Sequence, residues 1–274
     1  MQIKIQSLKQ SIICELPNEL FEQWHDYYFW AEYIPAVSIT ETKSKPELII
    51  ATGKNFKWID NNITITGSEQ DIRSTIVIIG TLLEQKRQES RLYQIHGAAI
   101  GYGTKGILLI GGMSGLGKTS LAIALQNSPK YQFLADEKFI IDGKKHTIVA
   151  GCPISKDNLK TDKASIHHRT TKKATKISLI LFPIITNEPE ITAHKYDTLK
   201  LFWHLYEESS RDIRGLNFLF NDFTETRNSL DTNDIMNQRL ADIKKLADKV
   251  PAYYIRGNIA SVSRFIHNLM KEST

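Results

Sequence analysis

Apolar and polar residues alternate through the first fifteen positions, with Ile3 and Ile5 and then Ile12 and Ile13 on the apolar beats, which predicts one or two half-buried strands. Asn18 is placed to cap a short helix reaching Trp30, with Leu20, Phe21, Trp24 and Tyr28 along its apolar side. That aromatic side reads as core or as a contact between units. Strand-like runs follow at 36–39 and 48–51, then a hairpin: Phe56-Lys57-Trp58-Ile59, the polar turn Asp60-Asn61-Asn62, and Ile63-Thr64-Ile65-Thr66. Ser68 reads as the N-cap of a long helix to about Glu89, because Ile72, Ile76, Ile79, Leu82 and Leu83 recur at helical spacing. Residues 93–100 predict a strand, Gly106–Ile110 a short buried strand, and Ser120–Gln126 a helix. Residues 131–141 predict a strand with acids at its middle, and Asp142-Gly143 turns it into a hairpin partner at 146–150.

The second half continues with an apolar strand over 177–185 and a helix over 195–210, whose buried side is predicted to be Leu199, Phe202, Trp203 and Tyr206. Residues 212–222, with Leu216, Phe218, Leu219 and Phe220, read as core. A helix from Thr232 or Asn233 to Lys249, a strand over 252–256 and a last helix over 259–271 complete the pattern. The order predicts an α/β fold in two parts: a small α+β unit over residues 1–90, suited to binding an acceptor or partner, and a nucleotide-binding unit over 91–274.

Composition adds limits. At 274 residues with 41% hydrophobic content, a sizeable core is available. A formal net charge of +5 suits anionic partners without selecting one. Cys14 and Cys152 match no metal or disulfide spacing and read as free thiols, which predicts a reducing, cytoplasmic setting. No apolar run approaches the length of a membrane span, so no membrane partner is expected. No basic groove interleaved with aromatics suggests nucleic acid. Homo-oligomerisation is left open. Residues 151–176 have no clear period and carry Lys156, Lys160, Lys163, Arg169, Lys172, Lys173 and Lys176 against Asp157 and Asp162. That segment reads equally as a solvated loop or as one that meets a triphosphate or an acidic acceptor. His167-His168 alone makes no metal site.

The chemistry centres on Gly112-Met113-Ser114-Gly115-Leu116-Gly117-Lys118-Thr119, followed by Ser120, which fits the phosphate-binding loop G-x-x-x-x-G-K-[ST] between a predicted strand and a predicted helix. Glycines let successive backbone N–H groups turn toward phosphates, and the helix N-terminus adds positive potential there. Lys118 would reach the β- and γ-phosphates, Thr119 would hold Mg²⁺, and a nucleoside triphosphate is the expected ligand. Asp136-Glu137 follows on the next predicted strand, where alternation lets one carboxylate face Mg²⁺ and the other the acceptor. His96 would lie near the γ-phosphate if its strand neighbours that of the loop.

In order and spacing, Ile95-His96-Gly97, the loop GGMSGLGKTS and Leu134-Ala135-Asp136-Glu137 resemble the C-terminal catalytic domain of HPr kinase/phosphorylase, a P-loop fold similar to phosphoenolpyruvate carboxykinase. Val149–Pro153 resembles the segment that follows, and Val250–Arg256 with its helix is similar to short relatives that tailor lasso peptides. The resemblance covers about residues 93–272, tightly in its first quarter. It implies an ATP- and Mg²⁺-dependent phosphotransferase acting on a hydroxyl, with Ser or Thr of a peptide or protein first and a small molecule second. A nucleotide-binding regulator is the rival from another class. By resemblance Lys118 and Thr119 bind triphosphate and metal, Asp136 is the base, Glu137 stands where a second, metal-binding aspartate is usual, and His96 sits beside the pair. Asp212-Ile213-Arg214-Gly215-Leu216 is similar to the family's glutamate-[IV]-arginine-glycine signature but falls about fifty residues too late, and is set aside. The arginine-bearing loop tied to phosphorylase activity is not recognisable, so no phosphorylase is predicted.

Overall fold

The computed structural model describes residues 1–24, 27–111, 115–153, 174–214, 217–220, 223–226 and 229–272; for 217–226 the description is of backbone strands alone. Alternation at the start of the chain forms β1 (Gln2–Ser7) and β2 (Gln10–Glu15), whose Ile3, Ile5, Ile12 and Cys14 are buried. The single helix expected from Asn18 to Trp30 is instead α1 (Asn18–Trp24) and α2 (Phe29–Tyr33). The Trp24 carbonyl, which a continuing helix would offer to the amide four residues on, accepts instead from the Tyr27 amide (3.1 Å) and the Trp30 indole (2.9 Å). Strands β3 (Val37–Glu41), β4 (Leu48–Thr52), β5 (Lys57–Ile59) and β6 (Asn62–Ile65) complete a mixed six-stranded sheet in the order β3-β1-β2-β4-β6-β5. Helix α3 (Glu69–Glu89) covers it, with the Ser68 hydroxyl accepting from the Asp71 amide as its cap. Ile72, Ile76, Ile79 and Leu83 join the core beneath.

The second sheet is built from β7 (Leu92–His96), β8 (Ala98–Tyr102), β9 (Lys105–Leu109), β10 (Tyr131–Asp142), β11 (Thr147–Cys152), β12 (Thr175–Ile185), β13 (Thr192–Lys195) and β16 (Ala252–Gly257). Between the last two come the small hairpin β14 (Asn217–Phe220) and β15 (Phe223–Thr226). The sheet order is β11-β10-β8-β9-β12-β16-β13, with β7 also on β10, and parallel and antiparallel pairs are mixed. Helices α4 (Lys118–Gln126) and α7 (Ile259–Glu272) pack on one face, α5 (Thr198–Ser210) and α6 (Asn233–Lys249) on the other. On β9, Ile107 and Leu109 join the α4/α7 core and Leu108 the α5/α6 core. Burial on both faces is why this strand reads as an unbroken apolar run. The chain is thus mixed α/β, with two mixed sheets and seven helices among the described residues.

Two further expectations are corrected. The strand foreseen over 93–100 breaks at Gly97, where a Cβ would stand 2.5 Å from the Leu109 carbonyl oxygen. On α5 the buried side is Leu201, Leu205, Tyr206 and Ser209; Leu199 and Trp203 are exposed. The expectation that Leu216, Phe218, Leu219 and Phe220 enter the core lies outside the described side chains, as do His167, His168 and the basic residues 156–173. No helix among the described residues is long and apolar enough to cross a membrane.

Candidate active site

The loop after β9 is tied down at both ends. Ile110 N donates to Leu181 O (2.9 Å), and Ile185 N donates to Leu116 O (3.0 Å), so β12 holds the loop from below. Gly112 and Ser114 lie outside the described residues. Gly115 and Gly117 both adopt left-handed backbone, φ 81° and 86°. At Gly117 a Cβ would also stand 2.5 Å from Ile185 Cγ1, so shape and torsion together require glycine. Gly117 is the N-cap of α4 and offers no side chain to the first-turn amides. A helix N-terminus of this kind carries positive potential that favours an anion. Lys118 is buried, with Nζ 3.5 Å from Gly111 O, and Ser120 is exposed on the same turn.

Strand β10 brings the carboxylates. It pairs with β8 over Tyr131–Ala135 and with β7 over Lys138–Asp142, and the ladder is interrupted between Asp136 and Phe139. Glu137 occupies the interruption with φ 59°, a left-handed torsion uncommon outside glycine, asparagine and aspartate. Its carbonyl accepts from the Gly97 amide (3.0 Å). Such bulges re-aim side chains. Here the bulge sends Asp136 inward, 1% exposed, and leaves Glu137 half-exposed. The pair diverges as the sequence suggested, through a bulge rather than through strand alternation.

Thr119 Oγ1 donates to Asp136 Oδ1 (2.8 Å). Asp136 Oδ2 is buried with no hydrogen-bond partner among the described residues. Burial pushes the Asp136 carboxyl up to about 6; the Thr119 hydrogen bond works against that rise and the negative charge of Glu137 adds to it. His96 Nδ1 lies 3.7 Å from Glu137 Oε2, a contact rather than a hydrogen bond. Burial depresses the imidazole; Glu137 opposes this, while Lys118, Arg211 and Lys138 add to it. A neutral ring at pH 7 follows.

The structure thus brings Lys118, Thr119, Asp136, Glu137 and His96 together at the start of α4. Thr119 and Glu137 were expected to share a metal; the Thr119 hydroxyl bonds Asp136, and Glu137 Oε2 lies near His96. An orphaned carboxylate oxygen beside a hydroxyl is a hard-oxygen donor set that fits Mg²⁺ with phosphate oxygens and water filling the rest of its shell. Among the described residues no three His, Cys, Asp or Glu gather into a protein-only cage.

Glu208, Arg211 and Lys138 escaped the sequence reading. Glu208 at the end of α5 has a buried Oε2, lies 3.6 Å from Arg211, and is raised by burial against the pull of Arg211 and Lys118. Arg211 and Asp212 follow it. Lys138 stands directly after the acids, and a lysine preceding the buried run Phe139-Ile140-Ile141 was the available signal. Compared with known proteins, the chain matches no family model, and no curated protein is significantly similar to it.

Proposed function

We propose that this chain is an ATP-dependent kinase that moves the γ-phosphoryl group to a hydroxyl, with Ser or Thr of a peptide or protein as its first acceptor class. The observation that carries the proposal is the Thr119–Asp136 bond at the N-terminus of α4, with the second Asp136 oxygen buried and unpartnered among the described residues. The glycine loop between β9 and α4 and the acid-bearing hairpin β10–β11 support the HPr kinase-like P-loop arrangement that the sequence resembles.

Lys118 and the first-turn amides of α4 would hold the β- and γ-phosphates. Thr119 Oγ1 and Asp136 would hold Mg²⁺, which supplies charge neutralisation across those phosphates. Glu137, half-exposed beside a neutral His96, takes the acceptor proton as the acceptor oxygen bonds to the γ-phosphorus. The bond from that phosphorus to the bridging oxygen breaks, and ADP leaves. The family resemblance assigns base and metal group the other way round; the Thr119–Asp136 bond favours the exchanged roles.

Labelled ATP with Ser/Thr peptides and small alcohols tests this, comparing wild type, Asp136→Asn and Glu137→Gln. Glu137→Gln should keep Mg²⁺-dependent ATP binding and lose transfer by roughly 10²–10⁴-fold. Asp136→Asn should lose both. Retained transfer in Glu137→Gln removes it as base, and tight ATP binding by wild type with no transfer to any hydroxyl favours a nucleotide-binding regulator.

A further inference from the structure

The bulge that aims the two acids is held from behind by the first unit of the chain. Lys138, the residue after Glu137, pairs with His96 across the ladder. Its ammonium sits 3.4 Å from the centre of the Tyr33 ring on α2 and 3.2 Å from Asp212 Oδ2 beyond α5. Gln94 on β7 donates to the same Asp212 oxygen. Arg87 at the end of α3 donates to Gln94 Oε1 (3.1 Å), to Glu84 (2.8 Å) and to Ser7 on β1 (2.8 Å). Glu84 in turn accepts from the Gln94 amide (2.9 Å). Burial works to raise Asp212, but Lys138, with Arg87 and Arg211, holds it below the usual carboxylate range, so the pair is ionic.

A part-buried charged pair tied in by further hydrogen bonds holds its geometry, because displacement separates opposite charges. Two residues of regular strand would not need such an anchor. A left-handed glutamate does, because its torsion lies uphill of the strand around it.

We infer that Lys138 is a positioning residue for the phosphoryl-transfer site: clamped between Tyr33 on α2 and Asp212, it fixes the bulge that places Asp136 against Thr119 and leaves Glu137 half-exposed beside His96. The inference rests on the kinase reading for what the acids do, but not for how they are held.

The full chain is compared as wild type, Lys138→Met, Lys138→Arg and Lys138→Met/Asp212→Asn, by Tm, by ATP affinity with and without Mg²⁺, and by kcat and KM for transfer. Lys138→Met should keep metal-free ATP affinity within about threefold and lose the tightening that Mg²⁺ brings. Its kcat should fall on the order of 100-fold, as for a displacement of about 1 Å, with KM for ATP little changed. Lys138→Arg, which keeps a cation over the ring and a carboxylate partner, should recover most of both. The double variant leaves no unpaired charge, so its Tm should return toward wild type while kcat stays low. Recovery of kcat together with Tm in the double variant overturns the inference, as does intact Mg²⁺ tightening in Lys138→Met. Should wild type transfer to no hydroxyl, the kinase reading falls alone, because Mg²⁺ tightening still decides the role of Lys138.

Discussion

With one oxygen on Thr119 and the other buried without a partner among the described residues, Asp136 favours its protonated form, and its carboxyl is pushed up to about 6. A carboxyl raised on folding stabilises the fold below its ordinary value, and that contribution is lost as pH rises through the folded value. About two units correspond to ~3 kcal/mol. In metal-free chain, Asp136→Asn should therefore gain about 3 kcal/mol on wild type between pH 4 and pH 7, measured by urea unfolding at each pH. A difference that stays flat with pH would show that the carboxylate is not penalised. Because Mg²⁺ must displace the same proton, raising its concentration should also move the acid limb of kcat/KM below pH 6. Among the individual groups, Lys118, Thr119 and Asp136 stood out by spacing, and the structure brings Thr119 and Asp136 into contact. Asp212 did not: its partner Lys138 lies 74 positions away, and no local pattern encodes that meeting.

The loop and α4 form one element whose shape is set by backbone torsions. Gly117 holds a left-handed torsion and lies against Ile185, whose own Cβ is 2.6 Å from where a Gly117 Cβ would stand. Gly117→Ala should weaken ATP binding at least about tenfold and cost roughly 1–2 kcal/mol from the torsion alone. Ile185→Ala should not rescue it, because the clashing Cβ remains; rescue in a nucleotide titration would show that the side-chain tip, rather than the backbone, sets the limit. Most elements were legible for simple reasons. Strands buried on both faces read as apolar runs, and Ser68 and Thr232 announce their helices by capping them. The inward face of α5 was misjudged because Leu199 and Trp203 are large and apolar, although Leu201, Leu205 and Ser209 keep the same helical spacing. The bulge at Glu137 has no sequence signal, since nothing in a glutamate marks a left-handed residue.

Across the molecule, the apolar cores under the two sheets are joined by a polar seam at the end of α3. Glu84, Arg87 and Gln88 are all buried there, and Gln88 reaches Ser209 O (2.6 Å) and accepts from Arg239 of α6 (2.7 Å). Burial holds the Glu84 carboxyl high against the pull of Arg87. Arg87→Met strands that carboxyl and should cost roughly 3–5 kcal/mol, with Glu84→Gln in the same chain recovering part of it. Urea midpoints check this, and a loss under about 1 kcal/mol would mean the seam contributes specificity rather than stability. The seam was not legible in the sequence, because polar residues on a helix read as solvent-facing.

The handover of β10 from β8 to β7 bears on how this chain tolerates change in length. Beyond the bulge, Phe139 and Ile141 point into the α5/α6 core, and Ile140 between them does not. Deleting one residue at the bulge, or inserting one, would slip every later position of the strand by one and exchange those sets of side chains between faces. Substitution at position 137 changes one half-exposed group, whereas a gap there rewrites half a strand. The spacing of the acids from the core is thus fixed by counting residues, and side-chain identity is the freer variable.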